Sequence, residues 1–316
     1  MKKQLITSAA LVALTAWCAV SYQARAQDSN KTFAMVPKLV GVPFYADVEK
    51  GCTEEAAKLH VTCLFTGPTQ ADEAQQAQVV RDLVTKGVAG IAIAPNNPES
   101  IASAIAAAQA KGIPVITFDS DAPNTKRTTF VGTNNLDGGT QGGKAFKAAL
   151  PHGGTYAIIT GGLAADNLND RIKGFKTAIG SGFTEVAGSP FPCDDDSNKA
   201  IQLIQDVLTK NPNLSGIFYS GGWPMFAPEA YTRALQAHQA AIKSGKFVVV
   251  SFDTLTSQLK LLKAGYATTL IGQRPYKMGT QSVDVLAGMA AKKSAPKIID
   301  TGVDVVTSKN VDTFLK

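Results

Sequence analysis

Pro114-Val115-Ile116-Thr117-Phe118-Asp119-Ser120-Asp121 is the stretch that decides how this chain folds. Val115 to Phe118 are apolar or β-branched with no interrupting charge. That is the pattern of a strand buried on both faces, as in a parallel sheet. Pro114 opens the strand, and Asp119 and Asp121 close it. Ligands of open α/β sheets bind beyond the carboxyl ends of the strands, so a carboxylate placed there faces the binding crevice. The arrangement recurs where Val248-Val249-Val250-Ser251-Phe252 leads into Asp253.

The echo extends beyond these two strands. Gln78-Val-Val-Arg-Asp-Leu-Val-Thr-Lys86 matches Gln202-Leu-Ile-Gln-Asp-Val-Leu-Thr-Lys210 with four identities, and its apolar positions stay apolar. Gly90-Ile91 corresponds to Gly216-Ile217, and Lys50-Gly51 to Lys173-Gly174. The nearly constant offset predicts two copies of one supersecondary unit with short insertions. The plainer alternative is that any two βαβ units share such patterns. Strands are expected at 32–36, 61–65, 88–94, 114–118, 155–160, 187–191, 216–220, 248–252 and 268–272. Helices are expected at 46–59, 71–85, 99–110, 171–179, from about 198, and at 257–264 and 278–291, with 166–170 a loop and 298–306 a final extended stretch. Strands alternating with helices of this length give an α/β fold of two Rossmann-like lobes, each a parallel sheet flanked by helices.

The N-terminus reads as a processing segment. Lys2 and Lys3 precede a mostly apolar run from Leu5 to Val20, and Ala24-Arg25-Ala26 fits a small-x-small cleavage site. Cleavage there leaves 290 residues carrying 28 basic and 25 acidic side chains, a balance of +3. So mild a charge, with no basic cluster interleaved with aromatics, argues against a nucleic-acid partner. A chain this long exceeds the usual size of one domain. Of the three cysteines left, Cys52 opens a helix and Cys63 ends the following strand. An oxidising compartment permits a Cys52–Cys63 disulfide, and the alternative is two buried thiols. No Cys or His pair has ligand spacing, so no metal or cofactor is expected.

Two further motifs carry alternatives. Gly138-Gly-Thr-Gln-Gly-Gly143 opens a helix and fits neither a Walker loop nor a dinucleotide fingerprint. It reads as close helix packing, with phosphate binding the alternative. Asp194-Asp195-Asp196 precedes a helix and reads as a solvated loop and cap, with Asp195 facing a ligand the sharper reading.

No Ser or Cys sits on a nucleophile elbow, and the three histidines are isolated. Asp119 and Asp253 resemble a glycosidase pair, but the neighbouring strand ends collect many kinds of hydrogen-bonding residue rather than one acid and one base. These are Lys38, Asp121, Asn134, Asp166, Asn169 and Gln273, with Phe44, Tyr45, Trp223 and Phe252 among them. Carboxylates and amides pair with adjacent hydroxyls, and aromatic faces cover the C–H side of a sugar. The mixture suits a neutral polyhydroxylated ligand.

Phe33-Ala-Met-Val-Pro-Lys-Leu-Val-Gly-Val-Pro-Phe44, followed by the two Phe-Asp strand ends, resembles the exported sugar-binding receptors of ABC importers. These are the ribose-binding-like relatives of LacI-type repressors, and the Pro-Lys-Leu-Val-Gly segment is nearest the rhamnose and autoinducer branch. The resemblance implies a periplasmic, monomeric, non-enzymatic protein that clamps a sugar or polyol between two lobes and delivers it to a membrane permease. A sensor acting through a membrane receptor, or a glycoside-processing enzyme, is the alternative. It also implies a three-crossing hinge, with a signal peptide at 1–26, an N-terminal lobe of 27–134 and 275–302, and a C-terminal lobe of 135–274 and 303–316. By motif, Phe44 and Tyr45 match paired stacking aromatics, Asp119 and Asp253 hydroxyl-binding carboxylates, and Gln273 a hinge-side amide. Lys38 and Asp166 match polar contacts of the autoinducer receptor; Asp121, Asn134, Asn169 and Trp223 complete the expected ligand set. Asn169 and Ser120 stand where the ribose receptor has arginines, and Gly221-Gly222 replaces its Asn-Asp. Those departures point away from ribose, toward another pentose, a hexose or a linear polyol.

Overall fold

In the computed structural model, which describes residues 31–315, the buried strand runs assemble into two sheets. The signal expected at 1–26 lies outside the described residues. The first unit contains β1 (Thr32–Val36), α1 (Pro43–Lys58), β2 (Thr62–Phe65), α2 (Glu73–Lys86), β3 (Gly90–Ile93), α3 (Pro98–Ala110), β4 (Val115–Phe118) and β5 (Phe130–Gly132). The second begins with α4 (Asn135–Ala149), β6 (Gly154–Thr160), α5 (Asp166–Ile179), β7 (Phe183–Glu185), β8 (Phe191–Pro192), α6 (Ser197–Lys210) and β9 (Gly216–Tyr219). It continues with α7 (Pro228–Leu235), α8 (Gln239–Lys243), β10 (Val248–Phe252), α9 (Thr256–Lys263) and β11 (Thr269–Gly272). The chain closes with α10 (Pro275–Ala290), β12 (Ile298–Asp300), β13 (Asp304–Thr307) and α11 (Val311–Phe314).

The sheets run β12-β5-β4-β3-β1-β2 and β13-β11-β10-β9-β6-β7, with β8 beside β6. Replacing β1 to β5 by β6, β7, β9, β10 and β11 reproduces the order, so the sequence echo is an echo of architecture. β4 and β10 are buried along their whole length, as their uncharged and largely apolar runs require. The strands run parallel except β13, which is antiparallel to β11. The stretch expected as one piece over 298–306 divides: β12 joins the first sheet beside β5 and β13 the second. Gly302 stands between them at φ +92°, a turn that a side chain would strain. The strand expected at 187–191 is replaced by β7 and β8 at either side of it. Residues 166–170, expected as a loop, form the first turns of α5.

The glycine run of α4 is spent on helix packing. A Cβ at Gly139 would stand 2.1 Å from the Arg171 carbonyl oxygen, and one at Gly143 2.6 Å from that of Phe175. From the other side, a Cβ at Gly174 would stand 2.2 Å from the Leu136 carbonyl oxygen. The first lobe uses the same device between α1 and α10, where a Cβ added at Gly51 would stand 2.2 Å from the Tyr276 carbonyl oxygen and one at Gly279 2.1 Å from that of Val48. The Lys50-Gly51 and Lys173-Gly174 echo thus has a physical cause: two backbones in contact in each lobe. Gly139→Ala is expected to cost about 1–3 kcal/mol by overpacking and to lower the midpoint of thermal unfolding. An unchanged midpoint would show that α4 and α5 are not in contact.

Cys52 of α1 and Cys63 of β2 form the expected disulfide across a sequence separation of 11. Closing so short a loop restrains the unfolded chain by about 3 kcal/mol. Cys193 is free and buried.

Candidate functional site

Asp119 and Asp253 occupy the left-handed region at φ 57° and 73°. In both, the backbone N–H stays in the ladder, donating to Val131 and to Ile271 respectively. The chain then turns out of the sheet and throws the carboxylate off the strand end. Aspartate tolerates this conformation better than most residues, yet it still stores strain, and matched strain in two lobes marks a built site. Both carboxylates line one cleft between the lobes, 4% and 5% exposed. The cleft contains about 380 Å³ free of protein atoms, part of it open to solvent.

On the first lobe, Pro43 at the start of α1 sets the helix so that Phe44 and Tyr45 enter the cleft. The Tyr45 hydroxyl donates to Asp119 Oδ2 at 2.8 Å, and its ring packs edge-on against Phe44 and Phe118. Burial, with Asp119 alongside, holds the phenol well above its ordinary pKa, so it remains a donor. Lys38, in the loop after β1, is 3% exposed and reaches across the cleft to Asn167 Oδ1 at 2.8 Å. Burial lowers the Lys38 pKa against the attraction of Asp195 and Asp119.

The second lobe supplies a network around Gln273. Its Nε2 donates to Asp253 Oδ1 at 2.7 Å, while Oε1 accepts from Arg171 at 2.6 Å and from Thr133 at 2.9 Å. Gly222 N–H donates to Asp253 Oδ2 at 3.1 Å. A Cβ at Gly222 would crowd that oxygen at 2.7 Å. Burial raises the Asp253 pKa, with Arg171 and these donors opposing it. Arg171 also donates to Asn135 at 2.8 Å and to the Ser220 carbonyl at 2.9 Å. It stands 3.9 Å from Asp119 Oδ1 and lies 4.2 Å over the Phe252 ring.

Lys38, Phe44, Tyr45, Asp119, Trp223, Asp253 and Gln273 are therefore brought together. Four expected residues do not line the cleft. Asp121 is held by Arg127 at 2.8 Å and the Thr117 hydroxyl at 2.6 Å, closing a turn. Asn134 caps α4 through Asp137 N–H at 3.1 Å. Asn169 donates to the Leu163 carbonyl at 3.0 Å on the surface. Asp166 begins α5, half-buried near Asp170 and Asp121. Burial first, then those two carboxylates, lift its carboxyl to about 6.

The missed residues are Asn167, Arg171 and, left as an alternative, Asp195. Asn167 and Arg171 lie one helical turn apart and share a face. With 166–170 taken as a loop, no periodicity selects them over Asp166 and Asn169. An arginine thus does reach the cleft, two positions beyond Asn169, and the inference drawn from lost arginines loses that support. The aspartate triplet divides its labour. Asp196 caps α6 through Lys199 N–H at 2.8 Å, Asp194 pairs with Lys199 on the surface, and Asp195 is 7% exposed in the cleft.

Asp166 yields a pH prediction. Its folded pKa lies above the unfolded value, so the folded state binds more protons between about 4 and 6, and stability falls as pH rises through that window. Asp166→Asn is expected to flatten this slope and raise the melting temperature above pH 6, as measured by melts from pH 4 to 7. Identical slopes in both proteins would refute it.

Among the described residues no group of His, Cys, Asp or Glu is placed to hold a metal ion, and no helix is long and apolar enough to cross a membrane.

The model of a family described as "Periplasmic binding protein domain" matches residues 33–294. The D-allose-binding periplasmic protein of Escherichia coli is 30% identical over 278 residues, 84% of this chain and 86% of its own. The ribose import binding protein of Salmonella typhimurium is 29% identical over 283 residues, 90% of this chain and 91% of its own. Among solved structures, an ABC transporter solute-binding protein from Burkholderia graminis in complex with D-arabinose aligns with a TM-score of 0.81 at 36% identity. It covers 90% of this chain and 98% of that one. One from Agrobacterium vitis bound to α-D-tagatopyranose aligns with a TM-score of 0.79 at 26% identity, covering 89% and 96%.

Proposed function

The chain belongs to the periplasmic binding protein family as a sugar-binding receptor of an ABC transporter, and from that premise we propose that it closes its lobes over one neutral monosaccharide, a pentose or hexose, for delivery to the permease. Like its relatives it is a binding protein, not an enzyme. The relatives are periplasmic, and export of this chain through its 1–26 segment follows from the same reading.

The carrying observation is that Asp119 and Asp253 come from different lobes and line the same buried cleft. A ligand bridging them gains both sets of contacts only when the lobes are closed, so binding shifts the population toward closure. Each hydrogen bond to a charged group is worth about 1.5–3 kcal/mol. Phe44, Tyr45 and Trp223 supply apolar faces beside them. The proposal takes 27–134 with 275–302 as one lobe and 135–274 with 303–316 as the other; the sheet membership of β12 and β13 supports that division.

A thermal-shift screen of D-allose, D-ribose, D-arabinose and D-tagatose, with galacturonate and ribose 5-phosphate as charged controls, tests the reading. Ligand at a hundredfold excess over Kd adds about 2.7 kcal/mol. A shift with a neutral sugar is expected; a shift with the charged compounds alone would overturn it.

A further inference from the structure

Asp195 has a feature that neither fold nor helix cap explains. Its Oδ1 is buried and has no hydrogen-bond partner in the protein, although the residue lines the cleft. A buried charged acceptor left without a donor is costly. The surroundings give it room rather than partners. A Cβ at Gly161 would stand 2.1 Å from this oxygen, so only glycine at the end of β6 admits it. That same Cβ would lie 2.9 Å from Leu168 and from the Trp223 ring, so this oxygen is seated beside Gly161 near two apolar side chains, in a residue that lines the cleft. Asp194 and Asp195 both adopt positive φ, at 52° and 59°, a strained pair of non-glycine residues that delivers the side chain inward.

Resting on the sugar reading above, we propose that Asp195 is a ligand-binding and specificity-determining residue. Its free oxygen accepts a hydroxyl from the sugar on the Trp223 side of the ring. The ligand then meets three carboxylates, Asp119, Asp195 and Asp253, against two buried cations, Lys38 and Arg171. Such a site selects a sugar with hydroxyl donors in three directions and rejects sugar acids and phosphates. Lys38 faces Asp195 from the first lobe and attracts it without forming a hydrogen bond, leaving the oxygen available.

The test uses the full chain and whichever of D-ribose, D-arabinose and D-allose binds the unaltered protein most tightly by calorimetry. Asp195→Ala is expected to weaken that sugar tenfold or more. One monodeoxy analogue is expected to bind the unaltered protein equally weakly and to lose nothing further in Asp195→Ala, the signature of a shared contact. The sugar-free melting temperature of the variant should be unchanged or higher, because an unsatisfied buried acceptor has gone; a purely structural residue would lower it. Affinity within threefold of the unaltered protein, or a loss of affinity that tracks a lower sugar-free melting temperature with no analogue affected, overturns the assignment alone. If neither these three sugars nor D-tagatose binds the unaltered protein, the sugar reading falls, and this assignment with it.

Discussion

Asp253→Ala is expected to reduce sugar affinity at least a hundredfold while leaving the second sheet folded. The residue follows β10 and contributes only its backbone N–H to the ladder, so the bond to the Ile271 carbonyl survives the substitution. What is lost is the acceptor for Gln273 at 2.7 Å and for Gly222 at 3.1 Å and, on the proposed reading, the acceptor for two sugar hydroxyls. Two lost hydrogen bonds to a charged group amount to about 3–6 kcal/mol, and each 1.4 kcal/mol is about tenfold in affinity. Asp119→Ala should cost less, tenfold or more, because Tyr45 remains there as a donor to the sugar. Titration calorimetry decides both. An Asp253→Ala protein that binds within tenfold of the original would make this carboxylate a turn cap and not a ligand group.

Arg171→Leu is expected to damage stability as well as binding. The guanidinium is 2% exposed and spans Asn135, the Ser220 carbonyl and Gln273, with Asp119 at 3.9 Å across the cleft. Burial lowers its pKa, and Asp119 and Asp253 oppose that effect. Removing one member of a buried charge network leaves the others uncompensated and costs about 3–5 kcal/mol. Arg171→Lys should recover little, since an ammonium cannot reproduce the planar fork that meets three acceptors. Denaturant unfolding measures the first effect, and calorimetry with the bound sugar the second. Full stability in Arg171→Leu would show that the network is a passive lining.

Much of this architecture is legible from residues alone because it depends on short-range pattern. Val115–Phe118 and Val248–Phe252 are strands in any parallel sheet, since an apolar run of that length has no exposed face to give. Cys52 and Cys63 lie close because a helix and the strand after it return the chain to its start. The paired glycines were visible as an echo, although their cause, backbone against backbone, appeared only in three dimensions.

The cleft divides along the same line. Asp119 and Asp253 were legible because a strand's end is a local event and the crevice lies there by rule. Asn167 and Arg171 were not, because their direction depends on the rotational phase of α5, set by where that helix begins. Asp121 and Asn134 have the right chemistry but were consumed by a turn and a cap.

From its own residues, then, the chain determines two α/β lobes, permits the disulfide of the first, and marks the two carboxylates that follow matching strands. Tertiary structure alone decides which polar groups are left unpartnered between the lobes: both polar atoms of the Gln273 amide find partners in the protein, while one oxygen of Asp195 does not. The reason is physical. A hydrogen bond depends on distances between atoms more than a hundred residues apart, as from Lys38 to Asn167, and those distances exist only once both sheets have closed on each other.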